Sequence, residues 1–331
     1  MTATATAPRR RFVPLLIKIA VSLGLIAYLL FIQIDNLDDI WKAVAQADPA
    51  LLVAAFALNI IGYLMCSWRW QLLLRAQHFA VPLIELIRAY TIGIFFNSFL
   101  PGVMSGDLMR AMDISDRVPS YTRSFLILFV ERLTGMFGLL LLAVIALPTL
   151  GWNMVARSGI GWLLLAVAAV LVTLTAIFLS RHMRAAAMRL GRLRGLTWMG
   201  GVMERINETS MAFAARMRVV YGCVGVSFVF QANVVLHYWL IGVALGIDLP
   251  LEIYFAIIPV SLFVMMIPAS VNGIGIREQA FLYLFGQFGV AAELAVSLAW
   301  IAFAMVMVQA VAGGIVFALR RRTSKPEAVG S

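Results

Sequence analysis

The apolar run from Phe12 to Ile34 opens a series that continues at 50–67, 124–150, 159–180, 219–245 and 293–319. At about 1.5 Å of rise per residue, runs of this length cross a hydrocarbon layer of roughly 30 Å as helices. No other regular structure suits them, because a single backbone segment in lipid must satisfy its own polar groups. Composition agrees: 63% of residues are hydrophobic and 13% charged, against roughly 25% charged in soluble domains. The class expected is an all-α integral membrane protein with about six full transmembrane helices. Cys66 and Cys223 both fall inside apolar runs, so neither a disulfide framework nor a cysteine metal site is expected. No metal-ligand cluster, phosphate-binding loop or catalytic triad is evident, and neither a cofactor nor enzymatic activity is expected.

The excess charge, +10, sits mostly in short arginine clusters between the apolar runs. Nucleic acid is not the expected partner, since a duplex needs a folded soluble face to carry the basic patch. The positive-inside rule gives the clusters a topological meaning. Arg9, Arg10 and Arg11 in the 1–11 segment place the amino terminus in the cytoplasm. The arginines at 181, 184, 189, 192, 194, 205, 216 and 218 place the 181–218 loop there, as one or two amphipathic surface helices. Arg320, Arg321 and Arg322 do the same for the 320–331 tail. Trp68-Arg69-Trp70 is read as an aromatic and basic anchor at the cytoplasmic interface, and 71–82 as an amphipathic surface segment with Arg75 and His78 on its wet side. The acidic 35–49 segment then lies outside.

Three apolar runs separate residue 70 from 181, and three more separate 218 from 320. An odd number of crossings cannot return a chain to the side it left, so one run in each group must turn back. The natural choices carry breaks: Pro101-Gly-Val-Met-Ser-Gly106-Asp107-Leu-Met-Arg110 and Pro268-Ala-Ser-Val-Asn272-Gly273-Ile-Gly-Ile-Arg277-Glu278. Both place Gly five residues after Pro and Arg four residues after Gly. The expected organisation is therefore two inverted halves, 12–150 and 159–319, with opposed re-entrant hairpins at 83–110 and 253–289. Broken helices in inverted halves are an architecture of secondary transporters, in which the breaks form the substrate site.

In that arrangement Gly106 and Gly273 would let a head group approach the start of a short helix. The positive dipole end and free N–H groups there suit an anion. Arg110 and Arg277, one turn on, offer a planar fork matched to phosphate oxygens. Asp107 is a site residue or a helix cap, and Arg277–Glu278 a site or a structural ion pair holding the hairpin. Glu131 and Arg132 lie in the following span; neighbours on a helix point about 100° apart, so each needs its own partner. Arg110 is expected for Glu131 and Asp107 for Arg132. Asn233 and His237, one turn apart, line the cavity or are packing residues. A membrane lipid with an anionic or phosphate head group is the ligand expected.

Asn97 to Arg110, Glu131-Arg132, Gln231-Ala-Asn233 and Pro268 to Glu278 together resemble the flippase-like family of the lysylphosphatidylglycerol synthase transmembrane region, over residues 12–319. The resemblance implies a prokaryotic inner-membrane protein that moves lipid across the bilayer. Arg110, Glu131, Arg132, Arg277 and Glu278 are the matched positions. The chain stops at Ser331 without the soluble aminoacyltransferase domain, so lipid aminoacylation is not expected of it. The competing expectation is a non-transporting accessory or scaffold subunit for a lipid- or polyisoprenoid-modifying enzyme.

Overall fold

A computed structural model describes residues 24, 28, 37–99, 105–118, 120–151, 155, 159–180, 199–267 and 273–319, with the backbone alone described for 37 and 199–204. Among these residues the secondary structure is helical throughout. The elements are α1 (Leu37–Gln46), α2 (Pro49–Ala76), α3 (Leu83–Phe99), α4 (Ser105–Asp113), α5 (Tyr121–Ala146, extended by a 3₁₀ turn at Leu147–Leu150) and α6 (Ile160–Leu179). They continue with α7 (Met199–Ala214), α8 (Met217–Ala244), α9 (Leu251–Met265), α10 (Ile276–Gly286) and α11 (Ala292–Leu319). Five helices, α2, α5, α6, α8 and α11, are long and apolar enough to cross a membrane. The sixth expected span, 12–34, lies outside the described residues except at 24 and 28, and the 1–11 segment, Pro101, Pro268, Asn272, the 181–198 part of the arginine loop and the tail lie outside them altogether.

Two boundaries differ from the sequence reading. The 35–49 segment contains α1, an amphipathic helix that buries Ile40 against α11 beside Val296 and Trp300, while Trp41 stays exposed. The second span does not end at Ser67. Asp48 caps α2 by accepting the Ala50 N–H at 2.8 Å, with Pro49 in the first turn. From there no proline interrupts the run, which passes through Gly62 and ends at the Gln77 cap, with His78 beyond it at positive φ. The helix therefore continues for about 42 Å, carries Trp68-Arg69-Trp70 inside it, and buries Gln71, Leu73, Leu74 and Ala76. Arg75 and His78 are exposed, as expected.

The remaining breaks make helical hairpins. Helices α3 and α4 run antiparallel: Gly106 lies against Gly93 and Asn97, Arg110 against Gly93, Arg88 bonds Asp113, and Arg117 bonds Glu85. The contact is too close for side chains, since a Cβ on Gly106 would run into the Gly93 carbonyl oxygen. One on Gly93 would lie 2.9 Å from Arg110 Cγ. The second hairpin pairs α9 with α10, with Tyr254 against Phe285 at one end and Met265 near Gly273 at the other. Its turn uses Gly273 at φ +75° and Gly275 at φ +86°, a region that costs a side chain strain. The short arms, nine residues in α4 and eleven in α10, span about 13 and 16 Å. Neither reaches across a bilayer.

The two halves repeat one packing plan. Helix α2 touches α3 as α8 touches α9; α4 touches α5 as α10 touches α11; α5 packs on α9 as α11 packs on α3. On the axis of this relation α2 and α8 pack against each other, antiparallel: Ala55 faces His237, Leu58 faces Asn233, Arg69 faces Cys223 and Ala76 faces Arg216. The halves are therefore inverted. The match is incomplete, because α8 also packs extensively on α5 whereas α2 has no comparable contact with α11. Helix α7, in the arginine-rich segment, docks on the α2 and α5 ends through Arg123–Glu208, the Gln77 bond to the Thr209 carbonyl and buried Phe213.

Candidate functional site

Five charged side chains from three helices form one continuous chain inside the first half. Arg69 of α2 donates from Nη2 to Glu131 Oε1 at 3.1 Å, and Arg110 of α4 donates from Nη2 to Glu131 Oε2 at 2.6 Å. Arg110 also donates from Nη1 to Asp107 Oδ1 at 3.2 Å, and Asp107 Oδ2 accepts from Arg132 Nε. Charges alternate along the order Arg69, Glu131, Arg110, Asp107, Arg132. Each carboxylate is shared by two arginines, which lets the low-dielectric interior hold ions that would be prohibitive alone. The Glu131 side chain is 3% exposed and that of Arg132 34%. The chain thus has a closed inner end and one end that is partly open.

The surrounding elements hold it. Arg69 Nη1 donates to Ser227 Oγ at 2.6 Å, which ties the first half to α8 of the second. The Arg110 guanidinium carbon lies 4.3 Å from the Trp70 ring centroid and 4.4 Å from that of Tyr90. Cation–π attraction to two rings, with carboxylates on both terminal nitrogens, holds this cation in place. The pairings expected for Glu131 and Arg132 are the pairings found. Arg69 is the residue that sequence reasoning missed, because its tryptophan neighbours read as an interface anchor. The uninterrupted Gln71-Leu-Leu-Leu stretch after it was the signal that the helix, and the burial, continue.

The glycine positions act differently from the expectation. The Gly106 N–H donates to Asn97 Oδ1 at 2.8 Å and the Gly275 N–H to Glu278 Oε2 at 2.7 Å. One N–H at each of these helix starts is thus taken by a side chain of the protein itself. The smallness of Gly106 serves the α3–α4 contact, and Gly273 serves the turn. Asp107 is no cap but the bridge between two arginines. In the second half Glu278 turns back to Gly275, while Arg277 lies over the Phe303 ring at 4.8 Å. Asn272 lies outside the described residues.

Asn233 and His237 are set apart from the charge chain. Asn233 donates to the Leu58 carbonyl at 2.9 Å, and His237 Nδ1 lies 2.8 Å from the Ala55 carbonyl oxygen, so that both staple α8 to α2. His237 Nε2 is also 3.4 Å from Asn59 Nδ2. Beside it Tyr238 meets Phe281 of α10 edge to face. From Ser227, at the inner end of the charge chain, to Tyr238 the axial rise is about 16 Å. The first cluster and the second hairpin are therefore separated along α8 instead of meeting at a single point. Among the described residues no group of His, Cys, Asp and Glu could hold a metal ion.

A bundle of long apolar helices with inverted halves, two helical hairpins and a buried chain of ions defines a multi-pass α-helical membrane protein. The family model described as the lysylphosphatidylglycerol synthase TM region matches residues 15–314, and the chain belongs to that family. It is 23% identical over 297 residues to a UPF0104 membrane protein of Methanothermobacter thermautotrophicus, covering 82% of this chain and 86% of the relative. A UPF0104 membrane protein of Pyrococcus horikoshii is 22% identical over 296 residues, covering 83% and 88%.

Proposed function

We infer that the protein is a flippase-like lipid transporter that moves a lipid with an anionic or phosphate-linked head group across a bacterial inner membrane. The observation that carries this reading is the ionic chain built on the α3–α4 hairpin, whose nine-residue α4 arm is too short to cross the bilayer. Ions at membrane depth are costly and mark substrate paths by default. Broken helices in opposed halves are the transporter arrangement that exposes such a site to each side in turn. Reading the hairpins as re-entrant also agrees with the arginine clusters at 9–11, 181–218 and 320–322, which would then share the cytoplasmic side with both termini.

The test is reconstitution into liposomes containing a trace of phosphatidylglycerol with a fluorophore on one acyl chain, with a membrane-impermeant reductant added outside. In vesicles without protein about half the fluorescence is protected, in vesicles holding a working protein the protected fraction falls well below that, and Arg277→Ala slows the fall. Folded, reconstituted protein that leaves protection at the protein-free level would overturn the reading.

A further inference from the structure

We propose that Gln309 of α11 is a specificity-determining residue, whose carboxamide pairs with a hydroxyl group of the lipid head group when the contact between α3 and α11 parts. The proposal rests on the lipid reading above and adds a chemical class to it. Gln309 is 8% exposed, and neither its amide nitrogen nor its carbonyl oxygen has a hydrogen-bond partner. It is the one side chain among the described residues with two such atoms. On α11 it stands about 26 Å from one end and about 15 Å from the other, which is hydrocarbon depth in a layer of roughly 30 Å. A buried amide without partners is costly, and lipid offers it no water. The other buried amides of the bundle are satisfied: Gln71, Gln77, Gln231 and Asn233 each donate to a backbone carbonyl.

The packing around Gln309 says where that cost is relieved. Gly313, one turn on and on the same face, is pressed on α3 so closely that a Cβ would run into the Thr91 carbonyl oxygen. Further along, Phe317 meets Phe96 of α3 edge to face. Among the described residues no hydrogen bond joins α3 to α11, whereas α2 and α8 are bonded at Ala55, Leu58, Arg69 and Ala76. The α3–α11 seam therefore parts at the cost of apolar contact alone while the central axis holds. In the other direction Phe303, about 9 Å back along α11, lies under Arg277 of the second hairpin. Gln309 thus sits between the contacts that α11 makes with the two hairpins. The ligand class follows from the amide, which presents a donor and an acceptor together. A phosphate oxygen only accepts and an ammonium only donates, so each leaves one of the two atoms bare. A hydroxyl does both. The lipid that fits carries a polyol on its phosphodiester, and its pairing with Gln309 favours the parted state because the closed one has no such bond.

Native mass spectrometry of the purified full chain in maltoside detergent tests this with phosphatidylglycerol and phosphatidylpropanol. With matched acyl chains the two carry the same charge and differ only in the head-group hydroxyls. Wild type should bind phosphatidylglycerol about ten-fold more tightly, the scale of a hydrogen-bonded pair. Gln309→Met, close in volume, should bring phosphatidylglycerol to the phosphatidylpropanol value and leave phosphatidylpropanol unchanged. Gln287→Met, the same change at an exposed position, should keep the preference. Without lipid, Gln309→Met should unfold no earlier than wild type, because no internal bond is lost. Earlier unfolding, equal wild-type affinities for the two lipids, or a preference that survives Gln309→Met overturns the proposal. Free glycerol phosphate binding as tightly as phosphatidylglycerol also overturns it, since the ligand would then be a soluble polyol phosphate. Because binding is read apart from flipping, a preference lost in Gln309→Met with no translocation by wild type sinks the transporter reading alone. Translocation by a wild type that binds the two lipids equally sinks this proposal alone.

Discussion

Glu131 Oε2 and Arg110 Nη2 stand 2.6 Å apart with both side chains buried, and the same carboxylate holds Arg69 on its other oxygen. One residue of α5 therefore fixes the hairpin on one side and the α2–α8 axis on the other. Glu131→Gln keeps the shape but leaves two buried cations short of an anion. Breaking a buried pair by removing one partner costs about 3–5 kcal/mol, and detergent unfolding titrations should show a loss of that size. In Arg69→Met/Glu131→Gln the loss should be smaller than the sum of the two single changes, since one stranded cation is gone.

Gly106→Ala should destabilise by about 1–3 kcal/mol, because its Cβ would meet the Gly93 carbonyl at the α3–α4 crossing. Gly225→Ala on α8, where a Cβ meets nothing within 4 Å, should be neutral or gain up to about 1 kcal/mol from helix propensity. Thermal unfolding in detergent separates the two. Equal effects would mean that the hairpin does not pack as described.

Cysteine labelling reads the orientation of the hairpins. In a background with Cys66→Ala and Cys223→Ala, Phe99→Cys and Ile267→Cys place thiols at exposed positions beside the two turns. Impermeant reagent on right-side-out and inverted vesicles should label them from opposite faces. Labelling of both from one face in the same resting state would rule out opposed re-entrant hairpins.

Asn233→Leu should cost about 1 kcal/mol, the scale of an interhelical hydrogen bond in a membrane, by removing its bond to the Leu58 carbonyl. A denaturant titration in mixed micelles checks it. A loss of several kcal/mol would mean that Asn233 takes part in the charge network as well.

The helices, the hairpins and two of the ion pairs were legible in the sequence for stated reasons. Length and apolarity mark a span without reference to anything else, and two adjacent opposite charges on a helix must diverge, which is how Glu131 and Arg132 pointed to Arg110 and Asp107. Arg69 was not legible in the same way. A tryptophan-flanked arginine near the end of an apolar run looks alike at an interface and in a core, and only the partner, 62 positions away, tells them apart. The role of Gly106 was likewise hidden, since close approach to a head group and close approach to Gly93 ask for the same residue.

The shared carboxylate of Glu131 also bears on how the protein enters its membrane. An isolated Asp or Arg at the centre of an inserting helix costs roughly 2.5–3.5 kcal/mol, and α4 carries Asp107 and Arg110 on nine residues. Glu131, the shared partner of Arg110 and Arg69, is made 21 residues after Arg110 and 62 residues after Arg69. Both cations therefore meet this shared carboxylate only once α5 has been made, so the ionic contacts of the segment from α2 to α5 are completed as one unit.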